Sequence, residues 1–197
     1  MSKQTSSARD RILTAANKLF YAEGIRAVSL DNIAEKAGIT KKTVYYHFKS
    51  KDDLIEAYLA SRDQPNLALY RKWFAEAEGE LPDKVAAIFY QIAISARHPK
   101  WKGCGFLRTA AELANMPGHP AMKVGAAHKK KFEAWLEDEF STRGLEAAAA
   151  LSRHVVLLLD GAFSTILVHR DAEYAEAAGE AAKALVAGAV NRSGAVS

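Results

Sequence analysis

A single cysteine in 197 residues leaves no disulfide framework open within one chain and fits a reducing compartment. No apolar run follows Met1, and the polar segment SKQTSSARDR in its place predicts no secretory signal. The longest apolar stretch, around Val155 to Val168, is interrupted by Asp160, Gly161, Ser164 and Thr165. It is shorter than the roughly 20 residues that cross a bilayer, so no membrane span is expected. Strand-like alternation bounded by hairpin turns is absent, as is any internal repeat, and the predicted class is all-α. There is also no phosphate-cradling glycine loop, no paired nucleophile and base, and no convincing metal spacing of His, Cys, Asp or Glu. These gaps argue against an enzyme and against any metal or cofactor. What is present, 49% hydrophobic and 25% charged residues, describes a globular chain, expected in the cytoplasm.

The charge is unevenly placed. Residues 1 to 51 hold ten Lys or Arg against four Asp or Glu, a net +6, while residues 52 to 197 are close to neutral at −2. A basic head on a neutral body is the electrostatic footprint of nucleic-acid binding.

That head reads as short capped helices. Ser7 and Asp10 form a capping-box-like start, and Ile12, Ala15, Ala16, Leu19 and Phe20 follow at helical spacing, predicting a helix from about Ala8 to Glu23 that ends at Gly24. Ser29 caps a second helix whose apolar face is Leu30, Ile33, Ala34 and Ala37, and Gly38 ends it. Thr40 caps a third, Lys41 to Phe48, with Val44 and Phe48 on one face and Lys41, Lys42, Thr43, Tyr45, Tyr46 and His47 left for the other. Two short helices joined by a glycine turn, the second one polar, make a helix-turn-helix. Lysines neutralise phosphates, hydroxyls bond phosphate oxygens, and Thr or Tyr can meet a thymine methyl. Ser50 starts a fourth helix at Lys51, whose free N–H groups and lysine suit a phosphate.

Residues 8 to 58 closely resemble the DNA-binding domain of the TetR (tetracycline-repressor) family of transcriptional regulators. The resemblance rests on A-x-x-L-F-x-x-x-G from Ala16 to Gly24, I-A-x-x-A-G from Ile33 to Gly38, T-x-Y-x-H-F from Thr43 to Phe48, and Ser50-Lys51. It implies that Lys41 to Phe48 is a recognition helix in the major groove. Tyr45, His47, Lys51 and Ser29 would then touch phosphates, and Thr40, Lys41, Lys42, Thr43 and Tyr46 would reach bases or backbone. Many members carry Gly, Ala or Pro where Lys42 stands, so this second lysine adds either a guanine or a phosphate contact. The resemblance divides the chain into a DNA-binding domain, residues 1 to 51, and a helical effector-binding and dimerisation domain, residues 52 to 197.

The body reads as further helices: about Asn66 to Glu78 after a break or bend at Pro65, Pro82 to Arg97, Gly105 to Asn115, His119 to Phe140, Leu145 to His169 and Ala172 to Val190. Of the aromatic and thioether side chains, Phe89, Trp101, Phe106, Met116, Met122, Trp135 and Phe163 are candidates for an effector pocket, with His119, His128 and His169 as polar candidates. Cys104 opens a Gly-Cys-x-Phe helix start that resembles one subgroup of the family, and a small buried residue is the favoured reading over a redox thiol. The stripe Leu151, Val155, Leu158, Leu159, Ala162 and Ile166, with Ala178, Ala182 and Leu185 of the last helix, is the expected homodimer surface, since TetR-like regulators usually pair through their last two long helices. The predicted function is a DNA-binding repressor released from a palindromic double-stranded operator by a small, largely apolar effector. The alternative is a DNA-binding activator or architectural regulator with no effector.

Overall fold

The computed structural model describes residues 6–194, and these form nine α-helices with no strand among them. They are α1 (Ala8–Glu23), α2 (Leu30–Ala37), α3 (Lys41–His47), α4 (Lys51–Glu76), α5 (Leu81–Ala96), α6 (Gly105–Glu112), α7 (Pro120–Ser141), α8 (Ala148–His169) and α9 (Glu173–Gly194). The N-terminal helices start where their caps are. Ser7 Oγ accepts from Asp10 N at 3.1 Å, Ser29 Oγ from Asn32 N at 3.1 Å, Thr40 Oγ1 from Thr43 N at 3.2 Å and Ser50 Oγ from Asp53 N at 3.0 Å. Each bond satisfies one otherwise orphaned N–H of a first turn.

Proline does not act as its sequence position suggests. The expected break at Pro65 is corrected: α4 runs through it as one 26-residue helix, including the segment expected as a separate helix from Asn66. Pro65 and Ser61, whose carbonyl loses its partner, both lie on the exposed side, where water can satisfy that carbonyl. Leu59, Leu67, Tyr70 and Phe74 stay buried on the other side. α8 starts at Ala148 rather than Leu145, because Ala147 takes a left-handed conformation at φ 56°.

The chain divides into two compact units. The first takes the residues up to Asp63 together with Cys104–Ala126, and the second takes Gln64–Gly103 with the chain from Ala127 onward. The sequence boundary after Lys51 therefore falls within the first unit. One reason is Tyr58 of α4, whose buried ring meets Phe20 of α1 edge-on at 5.4 Å and whose phenol burial pushes its pKa up. Ile12, Ile33, Val44 and Leu54 complete the centre of this unit, each fully buried. Such side chains contribute about 1.5–3 kcal/mol apiece. The residues returning from Cys104–Ala126 add polar ties. Glu112 accepts from Ile25 N at 3.2 Å and Arg26 N at 2.9 Å, and Arg108 Nη1 donates to the Tyr21 carbonyl at 2.6 Å.

In the second unit α9 packs along both α5 and α8. At Gly179 α9 comes close to α5, since a Cβ there would lie 2.9 Å from Phe89 Cβ. Tyr70, Phe74, Phe132 and Trp135 form an aromatic cluster with ring centroids 5.1 to 5.7 Å apart. α8 is the one helix among the described residues long and apolar enough to cross a membrane by length and composition, with mean hydropathy 1.5. The apolar run inside it is short, as the sequence indicates, but the helix itself is not. Its inward side is covered by the chain's own core, which makes it a central packing helix here.

Candidate nucleic-acid interface

The arrangement of α2 and α3 follows from three local features. Gly38 adopts the left-handed conformation at φ 66°, ψ 41°, and Ile39 N closes the turn onto the Ala34 carbonyl at 3.0 Å. Thr40 then restarts the chain as a helix, and Val44 and Phe48, both buried, anchor that helix inward. Arg9 of α1 lies over the Phe48 ring at 5.2 Å. With one face anchored, the opposite face of α3 must point outward.

That outward face carries Lys42, Tyr45 and Tyr46, with Tyr46 85% exposed and set edge-on to His47 at 5.0 Å. The other expected contacts are differently placed. Lys41 Nζ is held by Asp31 Oδ2 at 2.8 Å across the turn, and this hydrogen bond, followed by the charge of Asp31, raises the lysine pKa. Lys41 therefore stays charged, but DNA must compete for it with Asp31. Thr40 and Thr43 hydroxyls lie 2.9 Å apart and bond each other, and the Ser29 hydroxyl donates to Asn32 Oδ1 at 2.7 Å. Lys51 is half-buried at the start of α4, and burial lowers its pKa against the opposing pull of Glu112 and Asp52. Such a lysine is already partly stripped of water, which lessens the cost of closing on a phosphate.

Two features of the head escape a sequence reading. Lys49, exposed between α3 and α4, adds charge beside the same surface, and its basic side chain was the available signal. A further basic groove of about 210 Å³ runs between α1 and α2, bearing Arg11, Lys18 and Lys36.

Comparison with known proteins agrees with this geometry. Residues 12–58 match the family model described as bacterial regulatory proteins, tetR family. The crystal structure of SCO4454, a TetR-family transcriptional regulator from Streptomyces coelicolor, superposes with a TM-score of 0.76 at 32% identity, covering 94% of this chain and 95% of that one. The chain belongs to the TetR family. It is a DNA-binding transcriptional regulator with an N-terminal helix-turn-helix and a C-terminal helical region. Among curated relatives, the HTH-type transcriptional repressor KstR2 of Mycolicibacterium smegmatis is 39% identical over 134 residues, 68% of this chain and 64% of that protein. The HTH-type transcriptional regulator SrpR of Pseudomonas putida is 39% identical over 79 residues, 36% of this chain and 37% of that protein. These curated relatives are thus matched over only part of their length.

The expected effector-pocket residues of this TetR-family regulator do not converge within one unit. Phe106, Met116 and Met122 belong to the first, with Phe106 buried, Met122 half-buried and Met116 exposed. Phe89, Trp101, Trp135 and Phe163 belong to the second. There Phe89 is fully buried against α9, and Trp135 donates its Nε1–H to Glu139 at 3.1 Å while meeting Phe74 edge-on. Trp101 stacks on Phe163, with ring centroids 6.2 Å apart and 15° between planes. The histidines serve elsewhere. His119 is buried at the start of α7, its Nδ1 accepts from Ala121 N at 3.1 Å, and its Nε2 lies 3.3 Å from Asp52 Oδ1 but off the hydrogen-bond line. His128 is also buried, while exposed His169 stacks on Tyr174 at 4.9 Å. Cys104 is buried at the start of α6.

Burial in the single chain divides the expected dimer stripe. Leu151, Val155, Leu159, Ala162 and Ile166 of α8, and Ala182 of α9, are buried within the single chain. Leu158 and Ala178 are half-buried, and Leu185 is 41% exposed. The outward row of α8 is instead Leu157, Gly161, Ser164 and Val168, with Leu157 64% and Val168 74% exposed. On α9 it is Ala177, Ala181, Ala184 and Leu185.

Proposed function

We propose that this regulator is a cytoplasmic homodimeric repressor that holds a palindromic operator until a small effector releases it. The observation that carries the DNA-reading part is the outward face of α3, where Lys42, Tyr45 and Tyr46 project from a helix anchored by Val44 and Phe48. On this reading residues 1 to 51 read DNA and the rest of the chain pairs and senses. Lys42 and Tyr46 meet base edges, and Tyr45, Lys51 and the first turn of α2 meet phosphates. A lone short helix binds modestly, so two copies set about 34 Å apart on successive turns of the major groove double the contacts. The outward rows of α8 and α9 are the faces offered for that pairing. An exposed Leu157 and Val168 beside small residues allow close helix approach and gain from being covered.

Release follows from population shift. An effector that binds one arrangement of the dimer better than the other draws it away from the spacing that fits DNA. The test is fluorescence anisotropy on the region next to the regulator's own gene. Replacing Lys42 and Tyr46 together by Ala is expected to abolish specific binding while the protein still melts cooperatively. Unchanged binding would sink α3 as the recognition helix.

A further inference from the structure

A cleft of about 250 Å³ lies where the end of α5, the loop after it and the end of α8 meet, all within the second unit. Its apolar wall is Trp101, backed by the stacked Phe163, together with the buried Ile166. Its polar groups are Arg97, His98 and Arg170, and no acidic side chain lines it. Trp101 N donates to the His98 carbonyl at 2.9 Å, and Gly103 sits so near α8 that a Cβ there would come within 2.9 Å of Leu167 Cδ1. The wall is therefore preorganised.

The polar groups are donors. His98 Nδ1 accepts from Lys100 N at 3.1 Å, so in the neutral imidazole the proton is on Nε2, free to be donated. Arg97 is paired with Glu176, whereas Arg170 stands at the end of α8 in a left-handed conformation, φ 57° and ψ 31°, that ordinarily falls to glycine. Its side chain is one of the groups that line the cleft. At the helix ends beside the cleft, main-chain donors already meet three carbonyls. Arg170 N bonds the Ile166 carbonyl at 2.8 Å, Arg97 N bonds Ala93 at 3.2 Å, and His98 N bonds Ser95 at 3.1 Å.

We propose that this cleft binds a small organic anion, a carboxylate on a compact aromatic or short aliphatic body. The carboxylate meets the Arg170 guanidinium and His98 Nε2–H, and the body lies against Trp101 and Ile166. An Arg fork matches a carboxylate in two parallel hydrogen bonds, which an alcohol or amide cannot equal. The volume falls below the roughly 300–1,000 Å³ of drug-sized ligand sites, which limits the body to about one ring. The inference rests on the effector-responsive reading above and names the chemical class of its ligand.

Calorimetric titration of the full-length protein with benzoate, benzamide and benzylamine tests it, since the three share one ring and differ in charge. Benzoate is expected to bind at least about tenfold tighter than the other two. Arg170→Gly removes the guanidinium and suits the left-handed backbone, so it is expected to keep the melting temperature while weakening benzoate about tenfold. Arg170→Lys should recover part of that loss. Equal binding of all three compounds, no binding of benzoate, or benzoate affinity unchanged in Arg170→Gly would each overturn the anion site. A lowered melting temperature with unchanged affinity would assign Arg170 to the helix end alone and overturn it likewise. Operator anisotropy with and without benzoate separates the two levels. Specific binding of benzoate with no operator release leaves the anion site standing and refutes its role as the effector site.

Discussion

Glu112 is the residue whose loss should be felt furthest along the chain. Its carboxylate accepts from Ile25 N at 3.2 Å and Arg26 N at 2.9 Å, in the turn that leads from α1 into α2. The two bonds are not equivalent. Ile25 is buried, whereas Arg26 is exposed, so water can replace the carboxylate only at Arg26. Glu112→Ala thus leaves one buried N–H without a partner, at a cost of about 1–3 kcal/mol. At about 1.4 kcal/mol per factor of ten, hydrogen exchange at the Ile25 amide should speed up by roughly 5- to 150-fold. Glu112→Gln keeps one acceptor oxygen and should lose less. The neighbouring Gly24 provides a check on the geometry. A Cβ there would lie 3.0 Å from Glu112 Oε1, and the backbone holds φ 92°. Gly24→Ala should therefore destabilise on two counts, and adding Glu112→Ala should relieve only the contact and leave the backbone strain of about 1–3 kcal/mol. Amide exchange resolved by NMR is the assay for the single variants, and urea denaturation is the assay for the double cycle. An Ile25 amide whose protection is unchanged in Glu112→Ala would refute the clamp.

Other outcomes follow from burial and charge. Lys51→Ala, which removes a proposed phosphate contact, should lower the steepness of log affinity against log salt by about one, as operator anisotropy across a salt series would show. Leu157→Glu should shift the protein to monomer in sedimentation velocity while leaving helical content intact, because Leu157 is 64% exposed in the single chain. Val155→Ala, at a fully buried position, should instead lower unfolding stability by about 2 kcal/mol, measured by urea denaturation. Tyr90 donates to Glu180, and that hydrogen bond, followed by burial, pushes the phenol up to about 12. A folded pKa above the unfolded value of 10.0 means that its stabilisation is complete below pH 10 and is lost as pH rises through about 12. Tyr90→Phe should flatten that part of the alkaline stability profile.

Local chemistry made the head legible in the sequence. A Ser or Thr cap bonds an N–H three residues away, and Gly38 needs only its own backbone freedom, so Ser29, Gly38, Thr40 and Val44 specify α2, the turn and α3 within about fifteen residues of chain. The uneven charge was equally readable. The faces of α8 were not, because a helix apolar nearly all round offers no periodicity that tells inside from outside. Val155 and Leu159 are inside and Leu157 and Val168 outside only because α9 packs on one side of α8.

The sequence alone determined the starts of the capped helices α1 to α4, the class of partner and the side of α3 that faces outward, since each depends on neighbours a few residues apart. Tertiary structure decided what depends on distant partners. It carried α4 through Pro65 and set Glu112 under a turn 87 residues earlier. It also brought Trp101 and Arg170, far apart in the sequence, to one cleft. Caps and turns are short-range interactions written in adjacent residues, whereas burial and clefts are properties of surfaces that exist only once the helices have packed.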